Sequence, residues 1–286
     1  EAKLQKLVLG VGASTNNGGR VSLEHIHNIS PLLGWRSHIK GSLDARERSV
    51  SGDVLSQPNA SFWRWSLGAA YSREKDEGQT THSSTLRAGR LQTNEKIDRS
   101  VYAEYNRSRW LIIAPGGGSA RYETYSAYSA NWAWTARHFD ALTYPTEGYG
   151  FGAELGAGIA VGGHHGSTNA PFTRALVRWQ SYHPLEDILP TQDSTAQREN
   201  LGRIALRGQI GAVLGKKDAP VPAKLLFLTG GDGSVRGYAY RSIAAQDMAY
   251  QGINYPQPGR YLLVGSAEWQ RPIYIDGARS DWESAV

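Results

Sequence analysis

The chain alternates between apolar and polar or small side chains over many segments, and helical periodicity is rare. In the segment 149–161 every odd position is apolar, whereas the even positions carry only Gly, Ala or Glu. Alternate side chains of a β-strand point to opposite faces of the sheet, so this pattern predicts strands with one apolar face. The same alternation recurs at 35–45, 63–71, 128–136 and 204–214.

About twelve such segments can be counted, and their lengths separate a membrane barrel from a soluble sandwich. They run over roughly ten to fourteen residues, whereas the strands of globular proteins usually have about five or six. A tilted strand needs about 9–11 residues to cross a bilayer. The segments start near residues 6, 20, 34, 48, 61, 80, 99, 122, 148, 172, 203 and 260, and a thirteenth begins at Trp282.

The polar face of these strands is rich in Arg, which suits a wet lumen and would be very costly in a dry sandwich core. Trp and Tyr near the strand ends are typical of the aromatic girdles at the two membrane interfaces. We therefore predict an all-β fold, a transmembrane antiparallel β-barrel. The girdle residues are Trp35, Tyr71, Trp110, Tyr149 and Trp269.

The composition and the absence of known motifs exclude several classes of function. The 286 residues include 33 Gly, 15 Tyr and 9 Trp but no Cys, which excludes a disulfide scaffold and a Cys-based metal site. The net charge of +5 is spread along the chain, so no basic block points to nucleic acid. No phosphate-binding or hydrolase motif is present, and His25 and His27 share a face without a third metal ligand. We expect no enzyme activity, no cofactor and no metal.

One long connection, about 216–259, carries no good strand in this interpretation, and loops of such length are usually functional or disordered. Its paired glycines permit a tight turn with positive φ, and its arginine could reach a carboxylate in a polar cavity. Asp232 fits either an Asx turn or a polar network. The candidate loop-motif residues are Gly230, Gly231, Asp232, Ser234, Val235, Arg236, Gly237 and Tyr238.

This run closely resembles the sixth-loop signature of the superfamily that contains BamA, TamA and the two-partner-secretion transporters. The residues before and after the core look most like TamA, the autotransporter assembly factor. The segments 9–15, 144–149 and 261–272 resemble the first strand, a strand entry and the strand after the loop. The resemblance implies that Arg236 docks inside the lumen against a carboxylate, but it leaves that partner unidentified.

The resemblance also implies a larger protein, because family barrels have sixteen strands and follow periplasmic POTRA domains. With about 12–13 strands, we expect residues 1–286 to form a C-terminally incomplete barrel without POTRA domains. In the outer membrane it would contact lipid and unfolded client barrel or autotransporter proteins. An inner-membrane-anchored, TamB-like periplasmic partner would act through the POTRA domains.

The implied function is the insertion or secretion of clients through a lateral seam at the first strand. Two alternatives stay open, a two-partner-secretion transporter that threads its client through the lumen and a passive porin. Gly10 and Gly12 would weaken the seam strand, or they equally give clearance in the lumen. The candidate seam residues are Leu7, Leu9, Gly10, Val11 and Gly12.

Overall fold

The computed structural model shows an almost entirely β protein. It describes residues 4–14, 18–30, 33–75, 80–113, 120–162, 169–185, 201–231, 234–250, 253–275 and 278–285. No helix among these residues is long and apolar enough to cross a membrane. The predicted all-β barrel fold is confirmed.

Fifteen strands follow one another in the described part of the chain, and the alternating segments of the sequence mark most of them. Each of the twelve predicted strand starts lies within two residues of an observed start, whereas the last strand begins at Ala278 rather than Trp282. The strands are β1 Gln5–Ser14, β2 Gly18–His27, β3 Arg36–Leu43, β4 Glu47–Leu55, β5 Trp63–Lys75, β6 Thr80–Thr93, β7 Ile97–Ile113, β8 Ala120–Phe139, β9 Gly148–Gly162, β10 Ala170–Pro184, β11 Arg203–Gly215, β12 Gln246–Tyr250, β13 Ile253–Gln257, β14 Tyr261–Ile275 and β15 Ala278–Ala285.

Thirteen of these strands form one antiparallel sheet in chain order, β1 to β11 followed by β14 and β15. In this sheet β1 and β15 are the two edges, so β1 pairs only with β2 among the described residues. The long connection between β11 and β14 contains a short 3-10 turn at Ala223–Leu225 and a separate hairpin formed by β12 and β13. The expectation that this connection holds no strand was therefore wrong.

The two faces of the sheet differ as the alternation predicts. One face carries exposed large apolar residues, and we call it the lipid-facing side. The opposite face is more buried, and it carries Ser, Asn and ion pairs such as Arg87 with Glu104. This is the lumen side, because a curved sheet crowds the side chains on its concave face. Lipid-facing residues include Leu67, Leu86, Tyr128, Leu155 and Ile210.

Candidate functional site: the long loop inside the lumen

The first part of the long loop packs onto the lumen side and forms the main apolar core of the described residues. Inward residues from β8 to β11 supply the wall of this core, including Ala127, Phe172 and Val213. The loop supplies Ala219, Val221, Leu225 and Phe227.

The ring of Phe227 occupies space that a glycine leaves open. A β-carbon added at Gly211 of β11 would lie 2.6 Å from the ring, closer than real side-chain contacts allow. Arg174 of β10 covers the same ring, with its guanidinium 5.2 Å from the centroid, and its Nε donates to the Leu225 carbonyl at 3.1 Å. Glu154 of β9 pairs with Arg174 at 3.1 Å and so holds this contact in place.

The loop motif folds into a compact turn in which glycines take backbone angles unsuited to other residues. Gly230, Gly231 and Gly237 have φ values of +115°, +93° and +91°. The N–H of Gly230 donates to Ser234 Oγ at 2.9 Å, and that of Gly231 to the Tyr238 carbonyl at 3.1 Å. The motif glycines are therefore needed for the turn itself.

Arg236 lies at the tip of this turn and contacts β14. Its Nη2 lies 3.3 Å from Oε1 of Glu268, whose side chain is only 12% exposed. Arg207 of β11 approaches the same carboxylate at 3.9 Å. The Arg236 side chain is itself 55% exposed, so the contact is a solvent-screened single interaction rather than a buried fork-shaped pair.

Sequence reasoning missed Glu268, although a signal was present. Glu268 lies on the polar face of a strand that alternates from Tyr261 onward, so it had to point into the lumen.

A second arginine of the loop reaches another wall of the barrel. Nη1 of Arg241 lies 3.1 Å from Oε2 of Glu74 on β5, and both side chains are largely buried. Arg241 has a φ of +57°, an uncommon angle for a residue other than glycine. The loop is thus tied to β14 through Arg236 and to β5 through Arg241.

The remaining motif residues have less direct contacts. Val235 forms an isolated bridge with Gly231, and Tyr238 is 59% exposed. Asp232 lies outside the described residues.

The candidate seam residues lie on β1, an edge strand of the sheet among the described residues. Leu7, Leu9 and Val11 are on its lipid-facing side and are strongly exposed. Gly10 and Gly12 point to the lumen side. A β-carbon at Gly10 would meet the Ser22 hydroxyl at 2.6 Å, while one at Gly12 would meet nothing within 4 Å. A side chain at Gly10 would therefore make the Ser22 hydroxyl rotate away, whereas one at Gly12 would meet open space.

Arg203, at the start of β11, contacts residues of several elements at the end of the strands opposite the long loop. Its Nη1 donates to the Pro145 carbonyl, and its Nε donates to Gln270 Oε1 at 2.8 Å. Its guanidinium lies over the rings of Tyr144 and Tyr182 at 4.4 and 5.0 Å. This residue joins the β8–β9 turn to β10, β11 and β14, and apart from its charge no sequence feature indicates this role.

The β8–β9 turn is closed by a carboxylate. Asp140 accepts hydrogen bonds from the backbone N–H groups of Thr146 and Glu147 at 2.9 and 3.1 Å. The bond from the Thr146 hydroxyl is the main cause that lowers the pKa of Asp140 from 3.8 to about 2, helped by the backbone donors.

The described residues give no support to a metal site at His25 and His27. His25 and His27 have ring centroids 6.3 Å apart. No group of three potential His, Cys, Asp or Glu ligands comes together in the part of the chain that the structure describes.

Comparison with known proteins fits this geometry. The sequence profile of the Omp85 superfamily domain matches residues 12–284. The chain therefore belongs to the Omp85 superfamily, and its fold is that of a barrel of the bacterial outer membrane. No curated protein matches the chain.

A solved structure is similar over almost the whole chain. The crystal structure of BamA from Haemophilus ducreyi lacking POTRA domains 1–3 superimposes with a TM-score of 0.71 over 96% of this chain. The two sequences are 15% identical, so the likeness concerns the fold alone. The chain spans 54% of that BamA chain.

Proposed function

We propose that this barrel assists the insertion or secretion of client β-barrel or autotransporter proteins at the edge of β1. The observation that carries the proposal is that β1 is an edge strand of the sheet among the described residues, at the first strand, where the family resemblance implies the seam. The backbone of such a strand can pair with an incoming strand. Pairing with that edge would satisfy the client's backbone before it meets lipid. The exposed side chains of Leu7, Leu9 and Val11 would then continue into the client's own apolar face.

The packed loop supports this route over passage through the lumen. Leu225 and Phe227 are buried against β10 and β11, and Arg174 covers the ring. A threaded client or a freely diffusing solute would have to displace this core. The two-partner-secretion and porin alternatives therefore require a loop rearrangement that the edge route does not.

The proposed identity of the clients and of the periplasmic partner rests on the loop motif. Its flanking residues resemble TamA, so autotransporters are the proposed clients and an inner-membrane-anchored, TamB-like protein is the proposed periplasmic partner. Copurification of such a partner with the tagged protein from envelope membranes tests this assignment. Recovery of the general barrel-assembly machinery instead would favour a BamA-like role.

Crosslinking tests the edge route directly, because the chain has no native Cys. A Cys at Leu9 or Val11 should form a disulfide with a Cys in the terminal strand of a stalled client. The reaction is selective, since the two Cβ atoms must come within roughly 3.5–4.5 Å.

Val177 provides the matched control. It lies on the same lipid-facing side but is paired on both flanks, with Ala153 and Ile210. We expect a Cys there to stay unlinked. Labelling of Val177 as readily as Val11 would contradict the edge route, and dominant labelling at the lumen residue Arg207 would favour threading.

A further inference from the structure

Two neighbouring rows of lipid-facing residues cross β5 to β8 near one end of these strands. We call these eight residues the Trp–Arg patch. The first row is Trp63, Gln92, Arg99 and Trp134, and the second is Trp65, Arg90, Val101 and Trp132. Two arginines that face lipid need an explanation, because a lone charge facing lipid is unfavourable.

Stacking on two tryptophan rings stabilises the charge of Arg90. The guanidinium lies 5.8 Å from the ring centroid of Trp63 and 5.3 Å from that of Trp65. Such stacking uses the face of the planar group and leaves the N–H donors at its edge available. Arg99 lies diagonally across from Arg90, within reach of a long side chain, and directly beside Trp134.

The donors of these two arginines are not used within the part of the chain that the structure describes. Neither Arg90 nor Arg99 has a carboxylate partner or a side-chain hydrogen bond there. Several lumen arginines differ, because Arg87 pairs with Glu104 and Arg178 with Glu154. The patch therefore presents two stacked or flanked cations with free donors to the membrane.

The depth of the patch matches that of lipid phosphates. Arg99 is the third residue of β7 and Arg90 the fourth from the end of β6, and the tight turn 94–96 joins them. At about 3.3 Å per residue, both lie about 10 Å from that turn, in the interfacial zone where Trp is enriched. This end is opposite the long loop, and long loops of such barrels are extracellular. The patch thus faces the periplasmic leaflet.

We propose that the Trp–Arg patch binds the phosphodiester of an anionic phospholipid in this leaflet. Two guanidinium groups suit phosphate, which accepts paired hydrogen bonds from each. The nearby Lys96 adds a third cation, and together they disfavour headgroups that carry an ammonium group. Exposed Val101 and Trp132 would contact the acyl chains, which a soluble phosphate lacks. The inference depends on the fold and not on the proposed function.

Lipid retention tests the proposal. The protein is placed in nanodiscs of phosphatidylethanolamine containing a minor fraction of phosphatidylglycerol, and the lipids retained after extraction are counted by native mass spectrometry. The native protein should retain phosphatidylglycerol preferentially. The Arg90→Gln/Arg99→Gln double variant should lose that preference about tenfold or more, and Arg90→Lys should keep part of it, since it retains the charge but not the planar stacking.

Arg73→Gln is the matched control, because Arg73 is an exposed lipid-facing arginine at the opposite end of β5. The preference of the Arg73→Gln variant for phosphatidylglycerol should be unchanged. Trp65→Leu, which leaves the charge intact, should weaken retention and keeps the test valid if the double variant does not fold. An unchanged preference in the double variant or in Trp65→Leu would overturn the proposal, as would an equal loss in Arg73→Gln. Displacement by inorganic phosphate alone would show that the site takes free phosphate instead.

Discussion

The ring of Phe227 lies against the backbone of Gly211, so that three of its atoms would fall within 3.1 Å of an added β-carbon. This contact joins the long loop to the barrel wall more closely than the arginine of the loop motif does. Apolar packing therefore contributes most to the docking of the loop, and the charged contacts contribute less.

The first prediction concerns this packing. Gly211→Ala should force the Phe227 ring out of place and destabilise the docked loop by about 1–3 kcal/mol, as overpacking does. Phe227→Ala should cost about 3 kcal/mol or more by leaving a cavity. Protease sensitivity of the loop measures both effects. Gly208→Ala is the control on the same strand, because its β-carbon would meet only Trp179 at an ordinary 3.8 Å. Equal sensitivity of all three variants would count against the contact.

The second prediction concerns the pair formed by Arg236 and Glu268. Because Arg236 is more than half exposed, we expect the coupling in a double-mutant cycle to be about 1 kcal/mol or less. Arg236→Ala and Glu268→Gln should each loosen the loop, and combining them should add little. Arg236→Lys should rescue in part. Strictly additive losses would mean that the two side chains do not act together.

The third prediction tests the two faces of β11. Ile210 is exposed to lipid, so Ile210→Arg should cost about 2–4 kcal/mol near mid-membrane. Gln209→Arg places the same charge on the lumen side and should cost far less. Refolding into bilayers measures the difference. Similar costs would contradict the assignment of the faces. Gly211 cannot serve as the lumen control, because Phe227 fills the space beside it.

The fourth prediction concerns Arg203, which is 8% exposed and joins several elements. Arg203→Ala should cost about 1.5–3 kcal/mol, the range for a hydrogen bond to a charged group. Arg203→Lys should recover little, since an ammonium group cannot reproduce the stacking on Tyr144 and Tyr182. Thermal unfolding measures the loss. Full rescue by Lys would show that only the charge matters.

The fifth prediction concerns pH. The folded pKa of Asp140 is lowered from 3.8 to about 2, so its stabilisation is present above 3.8 and disappears as the pH falls to about 2. The protection of the Thr146 and Glu147 amides, which is their exchange rate relative to the intrinsic rate at the same pH, should fall over this window. Asp140→Asn should remove that pH dependence. The same loss of protection in the variant would assign it to another group.

The barrel was predictable from the sequence because each strand carries its own signal. Alternation over 149–161 or 63–71 is local, and it fixes both the strand and the face of each residue. The hairpin of β12 and β13 has only five residues in each strand, too few for a clear alternation to stand out. It was missed for that reason.

The contacts of the loop could not be predicted in the same way. Gly211 is one glycine among many on a small-residue face, and nothing in its neighbours indicates that a ring from residue 227 covers it. The link between Arg241 and Glu74 joins positions 167 residues apart (241 − 74) that differ in no local feature from other charged residues. Such pairings depend on how the loop folds back, which periodicity does not encode.

The two arginine ties of the loop have a mechanical consequence for the barrel. The long loop spans the interior from β5 to β14. The wall formed by β6 to β11, which we call the braced arc, therefore cannot widen unless the loop stretches or one of the two ion pairs breaks. Among the described residues, the strands β1 to β4 lie outside this braced arc and pair with their neighbours in the sheet. A dilation that keeps both ties intact would therefore have to occur between strands outside this arc, while the braced arc keeps its curvature.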